Sequence, residues 1–133
     1  MIIGVGIDIV KTARIAKLLE KFGSKFENKI FTKNEISWAQ ERSNQQVKIN
    51  FYAKRFAAKE AFSKAIGLGI GRGVDFLDIE IINDKNGRPK LKLQDGARKF
   101  LQKYLGKNGF KIDVSLSDEG DMACAVVTIC EVY

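Results

Sequence analysis

The 133-residue sequence predicts a single α+β domain, spanning residues 1–133, in which a mainly antiparallel sheet packs against helices. Three observations support this prediction. Alternating β-branched segments lie near both ends of the chain, amphipathic helical patterns fill much of the interval, and an Asn-Gly turn separates two short strand patterns. The composition is 45% hydrophobic with one Pro, and no repeat, low-complexity tract or linker divides it, so one buried core is expected.

A change of hydrophobic period marks the first strand and the first helix. Residues 2–10 are rich in β-branched side chains and predict a buried strand with Asp8 near its end. Residues 12–22 place apolar side chains at helical spacing and predict an amphipathic helix, which Gly23 is suited to end. The chain is therefore expected to pass from strand to helix within two residues.

Two further helices are predicted in the middle of the chain. Thr32 followed by Glu35 has the pattern of a capping box and begins the second helix. A polar connection at 43–46 leads to the third helix, which contains the stretch KRFAAKEAFSKA at 54–65. The glycine-rich stretch at 67–73 predicts the end of this helix and a loop that needs positive φ angles.

The rest of the chain has the pattern of strands around one helix. Asn86 and Gly87 predict a tight turn between two strands, and a short acidic turn joins the last two strands. Predicted strands occupy 76–82, 90–93, 111–117 and 122–132, and the predicted helix occupies 95–105.

Composition limits the classes of function. A formal net charge of +7 favours an anionic partner, such as a phosphorylated cofactor, an acidic protein, nucleic acid or an anionic membrane surface. The absence of His excludes a Ser-His-Asp triad, a histidine base and histidine metal ligands. No apolar run is long enough to span a membrane and the first residues lack the pattern of a signal peptide, so the expected compartment is the cytoplasm.

The helix that contains 54–65 carries a candidate site. Its apolar side chains fall on one face, whereas Glu60 and Lys64 project from the opposite side, one turn apart. This pair is compatible with an ordinary solvated ion pair and with a phosphate site. Asp8 follows an apolar strand and is costly to bury unpaired, so it is either a capping residue or a ligand for a hard cation. Asp8 and Glu60 together would suit Mg²⁺, with Lys64 beside a bound phosphate.

Two other features have both a structural and a functional interpretation. The glycines at 67–73 end a helix, and they would also allow the backbone to approach a ligand lying along that helix. Arg14, Lys17 and Lys21 gather on one face of the first helix. This basic face is either solvated surface or a docking face for an acidic partner.

Two stretches of the sequence resemble a known enzyme family. GVGIDIV at 4–10, taken together with RFAAKEAFSKAIGLGIG at 55–71, is similar to the small bacterial 4′-phosphopantetheinyl transferases of the holo-[acyl-carrier-protein] synthase type. The resemblance extends to DIEIINDKNGRP at 78–89 and to the closing VSLS and ACAVV segments. It implies the α+β fold of that family and assembly as a homotrimer with active sites at the subunit interfaces.

The resemblance also implies a reaction and roles for residues. Members of the family transfer 4′-phosphopantetheine from coenzyme A to a serine of apo acyl carrier protein, in support of fatty acid biosynthesis, and release adenosine 3′,5′-bisphosphate. Neither nucleic acid nor a membrane is implied as a partner. Carried over by position, the implied residues are Asp8 and Glu60 as Mg²⁺ ligands, Glu60 and Lys64 as catalytic residues, Arg55, Lys59, Lys64 and Gly67 as coenzyme A ligands, and Arg14, Lys17 and Lys21 as the docking face for the carrier protein.

The sequence departs from the family pattern at the closing strands. The family often has two histidines there, and this chain has Asp113 and Asp118, so no role of those histidines carries over.

Two other functions fit parts of the sequence. An RNA-binding module would need aromatic and basic residues on an exposed sheet face, whereas the predicted strands carry aliphatic and acidic residues. A Mg²⁺-dependent nucleotide hydrolase would consume coenzyme A without any carrier protein.

Overall fold

The computed structural model describes residues 1–132. In chain order its elements are β1 (Ile2–Lys11), α1 (Thr12–Phe22), α2 (Ser24–Ile30), α3 (Lys33–Gln40), α4 (Gln45–Ile66), a 3₁₀ turn (Phe76–Asp78), β2 (Ile79–Asn83), β3 (Pro89–Leu93), α5 (Asp95–Leu105), β4 (Phe110–Glu119) and β5 (Met122–Glu131). Strands β1, β5 and β4 form one antiparallel sheet in that order, and β2 and β3 form a second. The predicted α+β fold class is confirmed. Among residues 1–132, no helix is both long and apolar enough to cross a membrane.

Most element boundaries agree with the sequence prediction. Helices α1 and α5 begin and end at the predicted residues. The predicted capping box of α3 is present, since Thr32 Oγ1 accepts a hydrogen bond from the Glu35 amide at 3.2 Å and Glu35 Oε1 accepts one from the Thr32 amide at 2.9 Å. Helix α4 begins after Asn44, whose side chain accepts a hydrogen bond from the Val47 amide at 2.8 Å.

Two segments differ from the prediction. The sequence does not predict α2, because this helix has seven residues and buries only Phe26 and Ile30, too few for a helical period to stand out. Phe76–Asp78 form a 3₁₀ turn and not the start of a strand at 76–82. The Asp78 carboxylate accepts a hydrogen bond from the Asp75 amide at 2.9 Å, which closes the turn and delays the strand to Ile79.

Helix α4 lies directly on β1 because two glycines of the strand have no side chain. A Cβ atom at Gly4 would lie 2.0 Å from the carbonyl oxygen of Ala65, and one at Gly6 would lie 1.9 Å from that of Ala61. Any larger residue at either position would push the helix away from the strand. Side chains alternate along a strand, so Asp8 lies on the same face as Gly6 and next to the helix.

Helix α4 is buried on nearly every side, which corrects the prediction of a helix with one apolar face. Of the residues predicted to form that face, Ala65 is partly buried and the other four are buried, namely Ala58, Ala61, Phe62 and Ile66. Lys59 and Arg55, however, are also buried, with exposures of 0% and 3%. The sheet covers one side of α4, and α1, α3 and β2 contact others. A charged residue in this helix therefore does not mark the side that faces water.

We expect Gly6→Ala to destabilise the fold by roughly 1–3 kcal/mol, the usual cost of inserting a methyl group into a close-packed contact. Urea unfolding measures the change in the free energy of unfolding. Gly96→Ala in α5 is the matched control, because an added Cβ atom there meets nothing within 4 Å and Ala favours the helix. A Gly6→Ala variant as stable as the original protein would contradict the close contact.

Candidate active site

Asp8 and Lys64 meet at the junction of β1 and α4. Lys64 Nζ lies 3.1 Å from Asp8 Oδ1 and donates a second hydrogen bond to the carbonyl oxygen of Ile7 at 3.0 Å. The Lys64 side chain is 56% exposed and the Asp8 side chain 17% exposed, so the ammonium group is closer to solvent than the carboxylate. Lys64 thus pairs with the strand and not with Glu60, the helical neighbour that spacing alone favours.

Glu60 lies one turn before Lys64, is partly buried and makes no hydrogen bond or ion pair within residues 1–132. Burial raises the pKa of Glu60, and the negative charge of Asp8 raises it further, whereas Arg14 and Lys64 lower it. Asp8 and Glu60 are therefore close enough to interact electrostatically. A partly buried carboxylate with a raised pKa and no partner is typical of a functional site.

Two neighbouring cavities share Glu60 as part of their walls. The larger has a volume of about 820 Å³ and lies beside the glycine-rich loop and the 3₁₀ turn. The smaller has a volume of about 400 Å³ and lies between α1 and α2. Lys29 and Phe76 also line both cavities. The apolar walls of the smaller cavity also include Leu18, Phe22, Phe26, Ile30 and Phe56. Glu60 can therefore contact ligands in either cavity.

The donor atoms of Asp8 and Glu60 fit a hard divalent cation. Mg²⁺ usually takes one or two carboxylates from a protein and completes its shell with water and phosphate oxygens. In the part of the chain that the structure describes, no three or more His, Cys, Asp or Glu side chains gather as a metal site. The two carboxylates would therefore hold such an ion together with oxygen atoms of water or of a ligand.

The structure separates the three basic residues of α1. Arg14 lines the smaller cavity and its charge acts on Glu60. Lys17 and Lys21 are exposed and line neither of the two cavities. Arg14 therefore belongs to the candidate site, whereas Lys17 and Lys21 form a surface outside it.

Lys59 is not available to a phosphate, which corrects its predicted role. Its ammonium group donates hydrogen bonds to the Ile30 carbonyl at 2.8 Å, the Phe76 carbonyl at 3.1 Å and Glu35 Oε1 at 2.7 Å. Because an ammonium group has three donors, none remains for a ligand. Glu35 is 0% exposed as well, and its Oε2 accepts a hydrogen bond from the Ile81 amide at 2.9 Å. This buried ion pair ties α4 to α2, α3 and the 3₁₀ turn.

Arg55 also lies apart from the two cavities that Glu60 lines. Its guanidinium group stacks on Phe51 at 3.5 Å from the ring centre, and that of Arg42 lies 4.4 Å from the same ring centre. Burial lowers the pKa of Arg55 to about 10, which leaves it charged at neutral pH. Its Nε is buried and has no hydrogen-bond partner. On its own chain, Arg55 is not brought to the candidate site.

The glycine-rich loop reaches the larger cavity two residues later than predicted. Gly67 ends α4 with φ 75°, and its amide donates hydrogen bonds to the carbonyl oxygens of Ser63 and Lys64. Gly69 and Gly71 line the larger cavity and Gly67 does not. The predicted helix end is confirmed, and the glycines that line the cavity lie further along the loop.

Among the residues that line the larger cavity with Glu60, sequence reasoning missed Lys29, Ser63 and Phe76. Lys29 belongs to α2, which the sequence does not predict. Ser63 lies three residues after Glu60 on the same helix, and this spacing could have identified it. Phe76 lies in the turn that the pattern predicts as a strand.

Within this chain, neither Asp113 nor Asp118 belongs to the site formed by Asp8 and Glu60. Asp118 lies 3.1 Å from Lys54 Nζ and accepts a hydrogen bond from Asn50 at 3.3 Å, in the N-terminal half of α4. Asp113 pairs across the sheet with Thr128 and lies on the face opposite α4, with its nearest cation, that of Lys111, at 3.8 Å. The structure thus places no replacement for the family histidines at this site of the same chain.

Known proteins resemble this chain over nearly its whole length. Residues 4–127 match the 4′-phosphopantetheinyl transferase superfamily. A holo-[acyl-carrier-protein] synthase from Anaplasma phagocytophilum is 44% identical over 129 residues, which cover 97% of this chain and 98% of that protein. The crystal structure of the Neisseria meningitidis holo-[acyl-carrier-protein] synthase matches with a TM-score of 0.86 and 39% identity, covering 97% of this chain and 98% of that one.

A second solved structure contains a ligand. The Bacillus anthracis holo-(acyl-carrier-protein) synthase, in complex with CoA (3′,5′-ADP), matches with a TM-score of 0.82 and 38% identity over 99% of both chains. The fold of the described residues is thus that of these enzymes. From the match over residues 4–127 and the near-complete coverage of these relatives, it follows that the chain belongs to the 4′-phosphopantetheinyl transferase superfamily.

Proposed function

We propose that the chain transfers 4′-phosphopantetheine from coenzyme A to a serine of apo acyl carrier protein, in support of fatty acid biosynthesis. The observation that carries this proposal is Glu60, a carboxylate with a raised pKa that borders two cavities beside the Asp8–Lys64 pair. The names of the relatives, and the CoA (3′,5′-ADP) in one related structure, support it. The cytoplasmic location expected from the sequence stays a prediction.

The transfer forms a bond between the serine oxygen and the phosphorus atom that carries pantetheine, and breaks the bond from that phosphorus to the departing bisphosphate. Glu60 accepts the proton of the serine hydroxyl group. The carboxylate can take this proton directly or through a water molecule. Lys64 places a positive charge beside the leaving adenosine 3′,5′-bisphosphate and can donate a proton to it.

In this proposal Asp8 and Glu60 would hold Mg²⁺. A divalent cation held there would supply positive charge to offset the charge that develops as the P–O bond breaks. Asp8 is positioned by β1 and Glu60 by α4, and the glycine contact sets the distance between these two elements. The two carboxylates therefore lie on adjoining elements whose separation does not depend on a ligand.

Coenzyme A would lie in the larger cavity, where the backbone at Gly69 and Gly71 and the charge of Lys29 are available. Gly67 would act by ending α4, so that the following glycines reach the ligand. Arg55 would contact phosphates in the site of a neighbouring subunit, because on its own chain it lies apart from Glu60. This residue is only 3% exposed on its own chain, so its guanidinium group would turn outward to reach such a phosphate.

We also propose that the chain assembles as a homotrimer with active sites at the subunit interfaces. The sheet face opposite α4 carries Val5, Ile7 and Ile9, which are 58%, 52% and 56% exposed. Cys124 and Val126 continue this face on β5. A contiguous exposed aliphatic patch is typical of an interaction surface. It lacks the interleaved aromatic and basic residues that an RNA-binding sheet would need, which argues against that alternative.

Sedimentation velocity should therefore give a mass three times that of one chain. Ile7→Glu places a charge in the middle of the aliphatic patch and should shift the protein to monomer and lower its transferase activity. Tyr104→Glu on α5, where the tyrosine is 47% exposed, is the matched control and should leave the assembly intact. A wild-type protein that sediments as a monomer would contradict the proposed assembly.

Mass spectrometry of the carrier protein tests the proposed activity itself. The protein is mixed with apo acyl carrier protein, coenzyme A and Mg²⁺, and the carrier mass should rise by one phosphopantetheine group. Consumption of coenzyme A with an unchanged carrier would instead identify a nucleotide hydrolase. If neither substrate changes, the proposed function is wrong.

Glu60→Gln should lower kcat for transfer by more than about 100-fold, the usual scale for a general acid–base group. The amide keeps the shape of the side chain but loses the charge and the basic oxygen. The fold should persist, because Glu60 has no hydrogen-bond partner to lose within residues 1–132, and a thermal melt checks this. Near-normal turnover at saturating Mg²⁺ would refute both roles of Glu60.

Replacing Lys17 and Lys21 together by Glu should raise KM for the carrier protein and flatten its dependence on salt, since exposed charges act mainly by screened attraction. KM for coenzyme A should change little. The matched control is the double change Lys99→Glu and Lys103→Glu on α5, which has the same spacing, charge change and exposure. If both double variants affect the carrier equally, α1 is not its docking face. In this proposal Arg14 also belongs to the docking face, in addition to its electrostatic effect on Glu60.

A further inference from the structure

The partner of Lys64 is the unexpected feature of the candidate site. An isolated helix would favour an ion pair between Glu60 and Lys64, since an acid four residues before a lysine is the stabilising order. Instead, the Lys64 ammonium group contacts Asp8 Oδ1 at 3.1 Å and the Ile7 carbonyl oxygen at 3.0 Å. Glu60 is left without a hydrogen bond or an ion pair in the described chain.

The contact of β1 with α4 explains this choice of partner. Because Gly6 lies against Ala61, the strand passes close enough for its next two residues to reach Lys64. The Asp8 side chain is only 17% exposed, and a poorly hydrated carboxylate is costly without a cation or a hydrogen-bond donor. Lys64 supplies both, and its own side chain remains 56% exposed and so free to move.

We propose that Lys64 is a resident counter-ion of Asp8 that exchanges this carboxylate for a phosphate when the metal ion and coenzyme A bind together. The inference rests on the proposed function, in which the same carboxylate holds the metal. An ammonium group 3.1 Å from Oδ1 opposes the approach of a divalent cation to that oxygen. Lys64 leaves Asp8 at lower cost when a phosphate offers a replacement acceptor.

The exchange couples the two ligands of the site. A metal ion alone has to displace Lys64 without compensation, so it binds weakly. A metal ion that arrives with the pyrophosphate of coenzyme A gives Lys64 a new partner, so each ligand strengthens the binding of the other by the same factor. Lys64 thereby disfavours a site that holds metal without substrate.

Removal of the ammonium group should consequently improve the binding of metal alone. Lys64→Met should bind Mn²⁺, a hard divalent substitute for Mg²⁺, roughly three- to tenfold more tightly than the original protein in the absence of coenzyme A, as expected for a partly exposed charge next to the site. The gain in Mn²⁺ affinity on adding coenzyme A should be several-fold in the original protein and smaller in the variant.

Electron paramagnetic resonance of free Mn²⁺ measures these affinities without any turnover. Each protein is titrated with Mn²⁺ alone and with Mn²⁺ in the presence of coenzyme A, and coenzyme A without protein provides the blank. Lys54→Met is the matched control, because Lys54 lies on the same helix and also pairs with an aspartate, Asp118, at 3.1 Å. It removes the same charge away from Asp8 and should leave the affinity for Mn²⁺ alone unchanged. Lys64→Gln is the second variant, and thermal melts verify that both fold.

The outcomes separate this inference from the proposed function. If the original protein binds Mn²⁺ with coenzyme A but neither Lys64 variant gains affinity for Mn²⁺ alone, Lys64 is not a counter-ion that yields to metal. If Lys54→Met gains as much as Lys64→Met, the effect is one of net charge and the inference is wrong. If no protein binds Mn²⁺ even with coenzyme A, the metal site of the proposed function fails, and the inference with it.

Discussion

The contact between α4 and β1 at Gly4 and Gly6 is the constraint on which the candidate site depends. With no side chain at these positions, the strand backbone lies against the carbonyl groups of Ala65 and Ala61. This short distance places Asp8 within reach of Lys64 and within the electrostatic field of Glu60. A wider separation would move Asp8 away from both Lys64 and Glu60.

Two lysines of α4 show how the surroundings decide what a charge does. Lys59 uses all three ammonium donors inside the protein, and two of its acceptors are the carbonyl groups of Ile30 and Phe76, residues that line the smaller cavity. Lys64 is 56% exposed and pairs with Asp8, the carboxylate that the proposed function assigns to metal binding. One lysine therefore fixes the walls of the site, and the other is available to its ligands.

The basic residues that give the net charge of +7 likewise lie in different surroundings. Arg14 acts on Glu60 from α1, whereas Lys17 and Lys21 face solvent outside the cavities. Arg55 is held against Phe51 with its Nε unpartnered, on a part of α4 away from Glu60. A single net charge does not reveal that the basic residues lie in such different surroundings.

The sequence by itself determined the features that depend on local order. Period and capping identified β1, α1, α3 and α5, and the two motifs identified Asp8, Glu60 and Lys64 as one set. Only the tertiary structure decided that Lys64 pairs with Asp8, that Lys59 is buried, and that a short helix carries Lys29 to the cavities. These outcomes depend on contacts between residues far apart in the chain, such as Gly6 with Ala61, and no local pattern encodes which side of a helix such contacts cover.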